Sequence, residues 1–597
     1  MAVEIALVVV TPAGLETARA LKAVLPGASI HGLAGRVEGD VGFLDTSAHL
    51  RALFAARTPI IGICAAGILI RSLGPVLGDK QSEPPVLAVG VDGSSVVPLL
   101  GGHHGGNALA REIGRVLDVP PALTTAGELA LGVALDDPPT GWRVGNPQAA
   151  KSVTAALLAE EPVALEVETG DGQWLNGLPF VEKADHAIRI TDRSVEFDDH
   201  ELVLHPPTLV LGVGCERNAP AAELISLVKD VMAQEALSPK SIACVASIDL
   251  KADEGAVHDL AAELGVPARF FSAAELEAET PRLASPSDVV FAETGCHGVA
   301  EGAALAVAGA DGVLIVPKVK GARTTMALAR SPRAIDAQGK GRARGKLFVV
   351  GIGPGTPQWR SPEASAAIEA SSDLVGYGLY LDLLGHAVHG KARHESALGA
   401  EEARAAKALD LAAEGRNVSL VCSGDPGIYA LATLVFELLD RKKRADWNRV
   451  EVVVVPGISA LQAAAARAGA PVNHDFCTIS LSDLLTPWES IETRLKAAAM
   501  ADFVVCFYNP VSQRRRDQLP RARDILLSGR GPDTPVILAR QLGRAGETVE
   551  VIRLADLDAD KVDMLTMVVV GSSETRSFAA GQKTWTYTPR GYGKKMV

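Results

Sequence analysis

Short β-branched runs alternate with Ala/Leu-rich stretches of helical spacing along most of the chain. IALVVV (5–10) precedes GLETARALKAVL (14–25), and PIIGICA (59–65) precedes a stretch containing Arg71. Such alternation predicts α/β layers around buried, largely parallel strands. TLVLGVG (208–214) opens a further unit of the same kind. Before it, residues 131–205 carry many turn residues, as in DDPPTGWRVGN and DGQWLNGLPF. The pattern breaks most clearly at SPRAIDAQGKGRARGK (331–346), which is rich in Gly, Ala and Arg, lacks apolar periodicity, and reads as an exposed linker. LFVVGI (347–352) then starts what reads as a complete domain. The expected fold class is therefore α/β, with several layered domains at 1–130, 131–205, 206–330 and 346–597 and a linker at 331–345. No short-period repeat is visible.

The length of 597 residues fits this division, because domains commonly hold about 100–200 residues. Seven cysteines, an odd number with no CxxC, argue against a disulfide framework and a Cys-built zinc site, and point to a reducing cytoplasm. The opening MAVEIALVVVTPAG has an acidic residue before its apolar run and no basic flank. The run is far short of the ~20 apolar residues that span a bilayer. It reads as a first buried strand, with no membrane partner expected. A net charge of −13 argues against a nonspecific nucleic-acid binder. Any anionic ligand must then be met by local arginines and lysines.

Four strand-to-loop junctions carry the candidate chemistry of the C-terminal domain. Gly351-Ile-Gly353-Pro354-Gly355 follows a strand, with Ser361 as N-cap and Pro362 as first residue of the next helix. A dinucleotide fingerprint needs a third glycine where Thr356 stands, and an acid at the end of the next strand, DLVGYG, where there is none. The second junction runs through Ser423-Gly424-Asp425-Pro426-Gly427, where Asp425 reads either as a ligand acceptor or as a helix N-cap. The third is VPGISALQAA within 451–469, and the fourth ends at Tyr508-Asn509-Pro510. Four such turns at strand C-terminal ends suggest one cleft along a sheet edge.

GIGPG, SGDPGIY and VPGISALQAA, in this order, resemble the tetrapyrrole methyltransferase family of uroporphyrinogen and precorrin methyltransferases. LVGYGLYL, HDFCTISLSDLLTPWESIETRL (474–495), FYNPVSQRRR (507–516) and DMLTMVVVGSSETR (563–576) narrow the resemblance to precorrin-3B C17-methyltransferases. The resemblance spans nearly all of 346–597. It implies a two-lobed α/β domain, usually a homodimer, with S-adenosylmethionine folded in the inter-lobe cleft and a precorrin as substrate, with or without cobalt. Cofactor contacts carried over by motif are Gly353, Pro354 and Gly355, then Ser423, Gly424, Asp425 and Ile428, then Ser459, Ala460 and Asn509. A sulfonium methyl is already activated, so orientation and water exclusion are the main tasks. Ring contraction, which accompanies C17 methylation in this family, benefits from proton transfer. Tyr377, His394, His474 and Asp483 are the candidates, though each taken singly reads more readily as a structural side chain. Arg514-Arg515-Arg516 read as a grip on substrate carboxylates or as a solvated helix face.

The segment 62–114 resembles the N-terminal domain of cobalt-precorrin-5A hydrolase through Ile70-Arg71, Asp79-Lys80, Pro84-Pro85, Asp92 and His103-His104-Gly105-Gly106-Asn107. That family's turn usually has Ser where Gly101 stands here. Residues 208–330 resemble the hydrolase C-terminal domain through GVGCERNAPAAEL, SIDLKADEGAVHDLAAELGVP, ETGCHGVAEGAAL and Lys318, which leaves 131–205 as its middle domain. The resemblance implies opening of a ring-A lactone; the residues themselves make His103, in a flexible turn with a second imidazole, the candidate to activate water, and a zinc site there lacks an evident third ligand, so no metal is expected. Three readings stay open: a fused methyltransferase and hydrolase, a methyltransferase with a noncatalytic corrinoid-binding N-terminal half, or a methyltransferase of the same fold acting on protein or RNA.

Overall fold

The computed structural model describes residues 5–25, 27–78, 83–102, 105–123, 130–397 and 399–591. His103 and His104, and Asp79 with Lys80, lie outside the described residues. The chain forms two compact units, Met1–Arg344 and Gly345–Val597.

The first unit contains three mixed α/β layers. The first sheet runs Val41–Phe43, Ala28–Leu33, Ile5–Val9, Ile60–Ile63, Val86–Val89, Val96–Leu100, parallel except at the last strand. Leu7, Val9, Ile61 and Ile63 are almost wholly buried, which is why these strands read as unbroken apolar runs. The turn-rich stretch has a sheet of its own: Arg143–Val144, Glu201–His205, His186–Ile190, Val163–Val167, Phe180–Val181. The third sheet sets Ala268–Phe271, Ile242–Ile248 and Leu209–Cys215 in parallel and closes with antiparallel Thr324–Arg330 and Val313–Lys320. The stretch expected as an exposed linker is fastened to this sheet. Arg269 donates to the carbonyls of Gln338 and Gly341 at 3.0 Å each and to that of Lys340, and Arg342 pairs with Glu275 at 2.7 Å. A polar segment without apolar periodicity can still be ordered when a buried arginine collects its carbonyls.

The first sheet also buries an imidazole that nothing in the sequence flagged. His31 is 4% exposed; its Nε2 lies 2.9 Å from Ser29 Oγ and its Nδ1 2.7 Å from His49 Nε2. Burial first, and then the neighbouring His49, lower its pKa from 6.5 to about 4 against a small opposing pull from Asp40. The unfolded chain therefore takes up a proton below pH 6.5 that the folded chain refuses until about pH 4. Stability from this group is complete above the higher value and is lost as pH falls between the two, on the order of 3 kcal/mol. Urea titrations of the first unit should show a falling midpoint between neutrality and about pH 4.5. His31→Gln should flatten that slope, and an unchanged slope would place its origin elsewhere.

In the second unit, one lobe is built on a wholly parallel sheet: Ala392–Ser396, Asp373–Tyr377, Asn417–Cys422, Lys346–Gly351, Glu451–Val455. Its central strands bury Leu347, Val349, Val418 and Leu420 completely. The other lobe has Phe476–Ser480, Val504–Tyr508, Thr566–Val570, Pro535–Arg540, Thr548–Arg553, with one parallel pair and three antiparallel ones. A small sheet of Gly469–Ala470, Lys583–Tyr587 and Arg576–Ala580 completes the unit. Ser361 caps the helix Pro362–Glu369 by accepting from the Ala364 amide at 3.0 Å, with Pro362 at its start. The four ligand-competent turns do not share one sheet edge, as the sequence suggested. Three belong to the parallel sheet, whereas the fourth ends Val504–Tyr508 in the other lobe.

Candidate functional site

The first two turns are joined backbone to backbone, and a side chain ties the third to them. Gly353 and Gly424 exchange two hydrogen bonds, N–H to carbonyl, at 3.2 and 2.8 Å. Both sit at left-handed φ values of +71° and +70°, a region that glycine enters without cost. Asp425 joins the second turn to the third: Oδ1 accepts from the Gly427 amide at 2.8 Å and Oδ2 from the Gly457 amide at 3.1 Å. It is not a helix cap, since the next helix starts at Leu431 behind Ala430. Ser459 is the cap of Ala460–Ala468. Its hydroxyl accepts from the Gln462 amide at 3.4 Å while Gln462 Oε1 accepts from the Ser459 amide at 2.9 Å.

The second lobe supplies the opposite wall. Tyr508 ends its strand, and Asn509 follows in a left-handed conformation, φ +49°, with its side-chain amide 3.2 Å from Ser480 Oγ. Tyr429, also left-handed at φ +50°, donates its hydroxyl to the Thr478 carbonyl at 3.1 Å and packs its ring 5.0 Å from that of Tyr508. That conformation is rare for a bulky residue and requires support from its surroundings. The Tyr508 hydroxyl is buried close to Ser459 and the Leu461 amide without completing a well-aligned hydrogen bond to either, and burial raises its pKa. From the same lobe, Arg544 reaches back 190 residues: Nε donates to the Pro354 carbonyl at 2.8 Å and Nη2 to Ser423 Oγ at 3.1 Å.

These groups enclose a cavity of about 320 Å³, within the range of small-molecule sites. Pro354, Tyr377, Ser423, Gly424 and Asp425 line it, as do Ile428, Ser459, Ala460 and Asn509. Gly353 and Gly355 shape the first turn from behind: a Cβ at Gly353 would meet the Trp359 carbonyl at 2.6 Å, and one at Gly355 would meet Arg544 Cγ at 2.8 Å. Tyr380, Arg404, Gln541 and Arg544 also line the cavity and were not singled out in the sequence. Only the Gly543-Arg544-Ala545-Gly546 turn, with its left-handed glycines, offered a hint.

Other sequence candidates lie away from this wall. His394 Nε2 sits 2.8 Å from the buried Asp373 carboxylate, which also receives Arg416 at 3.2 Å. His474 is half exposed beside Asp475 at 3.7 Å. Asp483 accepts from Gln518 at 2.8 Å. The arginine run does not act as one grip. Arg515 is turned inward, 11% exposed, and donates to the carbonyls of Leu481 and Asn509 at 2.7 and 2.9 Å. Arg516 is held by the Ala559 carbonyl at 2.8 Å and Asp560 at 2.7 Å, which leaves only Arg514 exposed without a partner among the described residues. Successive residues of a turn point in different directions, so a triplet cannot present three parallel cations. Among the described residues no cluster of three metal-ligating side chains occurs, and no helix is long and apolar enough to cross a membrane.

A parallel-sheet lobe and a mixed-sheet lobe around glycine-bonded turns define a class, and residues 346–558 match the family model of tetrapyrrole (corrin/porphyrin) methylases. The precorrin-3B C(17)-methyltransferase of Sinorhizobium sp. is 45% identical over 249 residues, which cover 42% of this chain and 97% of that protein. The chain belongs to the tetrapyrrole methylase family. Upstream, residues 48–128 match the cobalamin synthesis G N-terminal model, 138–206 the cobalamin biosynthesis central region, and 209–329 the cobalamin synthesis G C-terminus. The cobalamin biosynthesis protein CobIJ of Mycobacterium tuberculosis is 42% identical over 252 residues; the match takes in 42% of this chain and about half, 48%, of the length of that relative. A solved methyltransferase, CobJ, is 40% identical, with 41% of this chain and 100% of that chain covered and a TM-score of 0.39.

Proposed function

We propose that residues 345–597 methylate C17 of a precorrin-type macrocycle, with ring contraction, using S-adenosylmethionine. The observation that carries this reading is the meeting of Pro354, Asp425 and Ser459 on one cavity, with their turns joined by the Gly353–Gly424 bonds and by Asp425. The identity to the Sinorhizobium methyltransferase over nearly that protein's whole length supports it. When bound, S-adenosylmethionine supplies a methyl group already activated by its sulfonium. The chain's own work is then positional. The turns offer backbone atoms that glycine lets a ligand approach closely, Ile428 and Ala460 provide apolar contact, and Tyr429 and Tyr508 shield the wall from water. Tyr377 is the sequence candidate for proton transfer that lines the cavity, whereas His394, His474 and Asp483 are absent from its wall.

In the same reading, the upstream regions form a cobalamin-synthesis-G-type module in three domains, which opens the lactone of a later intermediate or holds the corrinoid. The assembly is a cytoplasmic homodimer. The test is incubation of the full chain with labelled S-adenosylmethionine and precorrin-3B, or its cobalt-bearing counterpart, followed by mass analysis. One added methyl group on a contracted ring is expected with one of the two macrocycles. Absence of transfer to either would overturn the proposal. Full-chain protein that methylates but never opens the lactone favours the binding role for the upstream module.

A further inference from the structure

The cavity wall holds two arginines, and among the described residues neither has a carboxylate partner. Arg544 is half-buried, and its two hydrogen bonds go to the neutral Pro354 carbonyl and the Ser423 hydroxyl. Arg404 is 4% exposed, and its bonds go to Ser396 Oγ at 2.6 Å and the Ala397 carbonyl at 2.8 Å. Tyr380 lies where its phenol senses both guanidinium charges, so the two cations flank one region of the wall. The acids on the same wall are otherwise engaged. Asp425 holds the Gly427 and Gly457 amides, and Glu401 accepts from the Gly399 amide at 3.2 Å. Neither acid forms an ion pair with Arg404 or Arg544.

Desolvating a guanidinium without a counter-ion costs stability. Burial does lower the Arg544 pKa, and no acid offsets it; only Tyr380 pulls the other way. Most other arginines of this unit show the ordinary solution. Arg393 pairs with Asp382 at 2.7 Å, Arg467 with Glu547 at 2.6 Å, and Arg540 with Asp563 at 2.6 Å. Two unpaired cations on one cavity wall are therefore out of keeping with their surroundings. A guanidinium whose Nε and one Nη are fixed by backbone and hydroxyl still has Nη donors free, oriented by those bonds.

We infer that Arg544 and Arg404 form a carboxylate-receiving subsite on the cavity wall around Tyr380, which takes an acid group of the bound ligand. This rests on the methyltransferase reading and replaces the Arg514-Arg515-Arg516 run as the anion grip. Two components of that reaction carry carboxylates, the amino-acid end of the S-adenosyl cofactor and the acetate or propionate arms of the macrocycle. A charge-assisted, desolvated pair of this kind is expected to be worth about tenfold or more in affinity.

The experiment uses the full chain and three probes: S-adenosylhomocysteine, its decarboxylated analogue, and a polycarboxylate tetrapyrrole. Calorimetry or fluorescence quenching gives each Kd for wild type, Arg544→Gln and Arg544→Lys, with thermal melts to confirm folding. If the cofactor supplies the carboxylate, Arg544→Gln weakens S-adenosylhomocysteine by about tenfold, leaves the decarboxylated analogue unchanged, and Arg544→Lys recovers part of the loss. If the macrocycle supplies it, the loss appears with the tetrapyrrole alone. The wild-type comparison of carboxylated and decarboxylated probes, and of free-acid and esterified tetrapyrrole, needs no variant and so survives a folding defect. Unchanged Kd values for all probes in a folded Arg544→Gln protein would overturn the inference. Wild type that binds neither class of probe would instead overturn the methyltransferase reading.

Discussion

Gly457→Ala is expected to lose S-adenosylhomocysteine binding by about 100-fold or more and to destabilise the second unit by roughly 3 kcal/mol. Gly457 does not have a left-handed φ, so its requirement is space and not conformation. A Cβ there would overlap the Gly424 carbonyl oxygen and stand 2.7 Å from that of Gly351. Both are backbone atoms of the neighbouring turns, fixed by the strands Asn417–Cys422 and Lys346–Gly351, so no side chain can swing aside. The third turn would have to lift away, taking its amide from Asp425 and the Ser459 cap from the cavity. Gly424→Ala is the contrasting control. Its φ is +70°, but the nearest atoms to an added Cβ are 3.9 Å away. It should cost only the left-handed strain of about 1–2 kcal/mol and keep the turns together. Chemical denaturation paired with calorimetry decides the matter. Equal or smaller losses in Gly457→Ala would mean the turns are not packed against one another as described.

What the chain discloses in advance is its local order. The strands of the parallel sheet were legible because both faces are buried and most positions are apolar, as in LFVVGI and NVSLVC. One helix start was legible where a cap chooses it, at Ser361-Pro362, whereas the Ser459 cap emerged only in the structure. The turns around the cavity were legible through glycines and through the family resemblance, which carried eight residues that do line the wall. What could not be read is what depends on pairing over long separations. The strand Val504–Tyr508 pairs parallel with Phe476–Ser480 and antiparallel with Thr566–Val570, so its turn approaches from a different sheet. Arg544 lies 190 residues from the carbonyl it binds. Arg515 looked like one of three free cations because charge says nothing of which side faces in; its partners, the Leu481 and Asn509 carbonyls, are set by a loop that has no periodicity to read.

Asp425→Ala tests how the cavity is held open, because it removes a group that serves two turns at once. The Gly427 and Gly457 amides each lose a charged acceptor, at 2.8 and 3.1 Å. Hydrogen bonds to a charged group contribute about 1.5–3 kcal/mol apiece. Water can replace part of this, since Asp425 is only partly buried and Gly427 is exposed. The net loss should therefore fall near 2–3 kcal/mol, or about 30- to 150-fold in S-adenosylhomocysteine affinity if the geometry of the turns is what the ligand reads. Asp425→Asn sharpens the argument. One of its two terminal atoms remains an acceptor, while the other becomes an NH2 group facing an N–H, so one turn is kept and its neighbour repelled. If Asp425 acts only by holding the turns, affinity and unfolding stability should fall in proportion across the two variants. If the carboxylate also accepts directly from the ligand, affinity should fall further than stability, and in Asp425→Asn most of all. A variant in which both amides are orphaned and neither quantity moves would remove the carboxylate bridge from the account of this site.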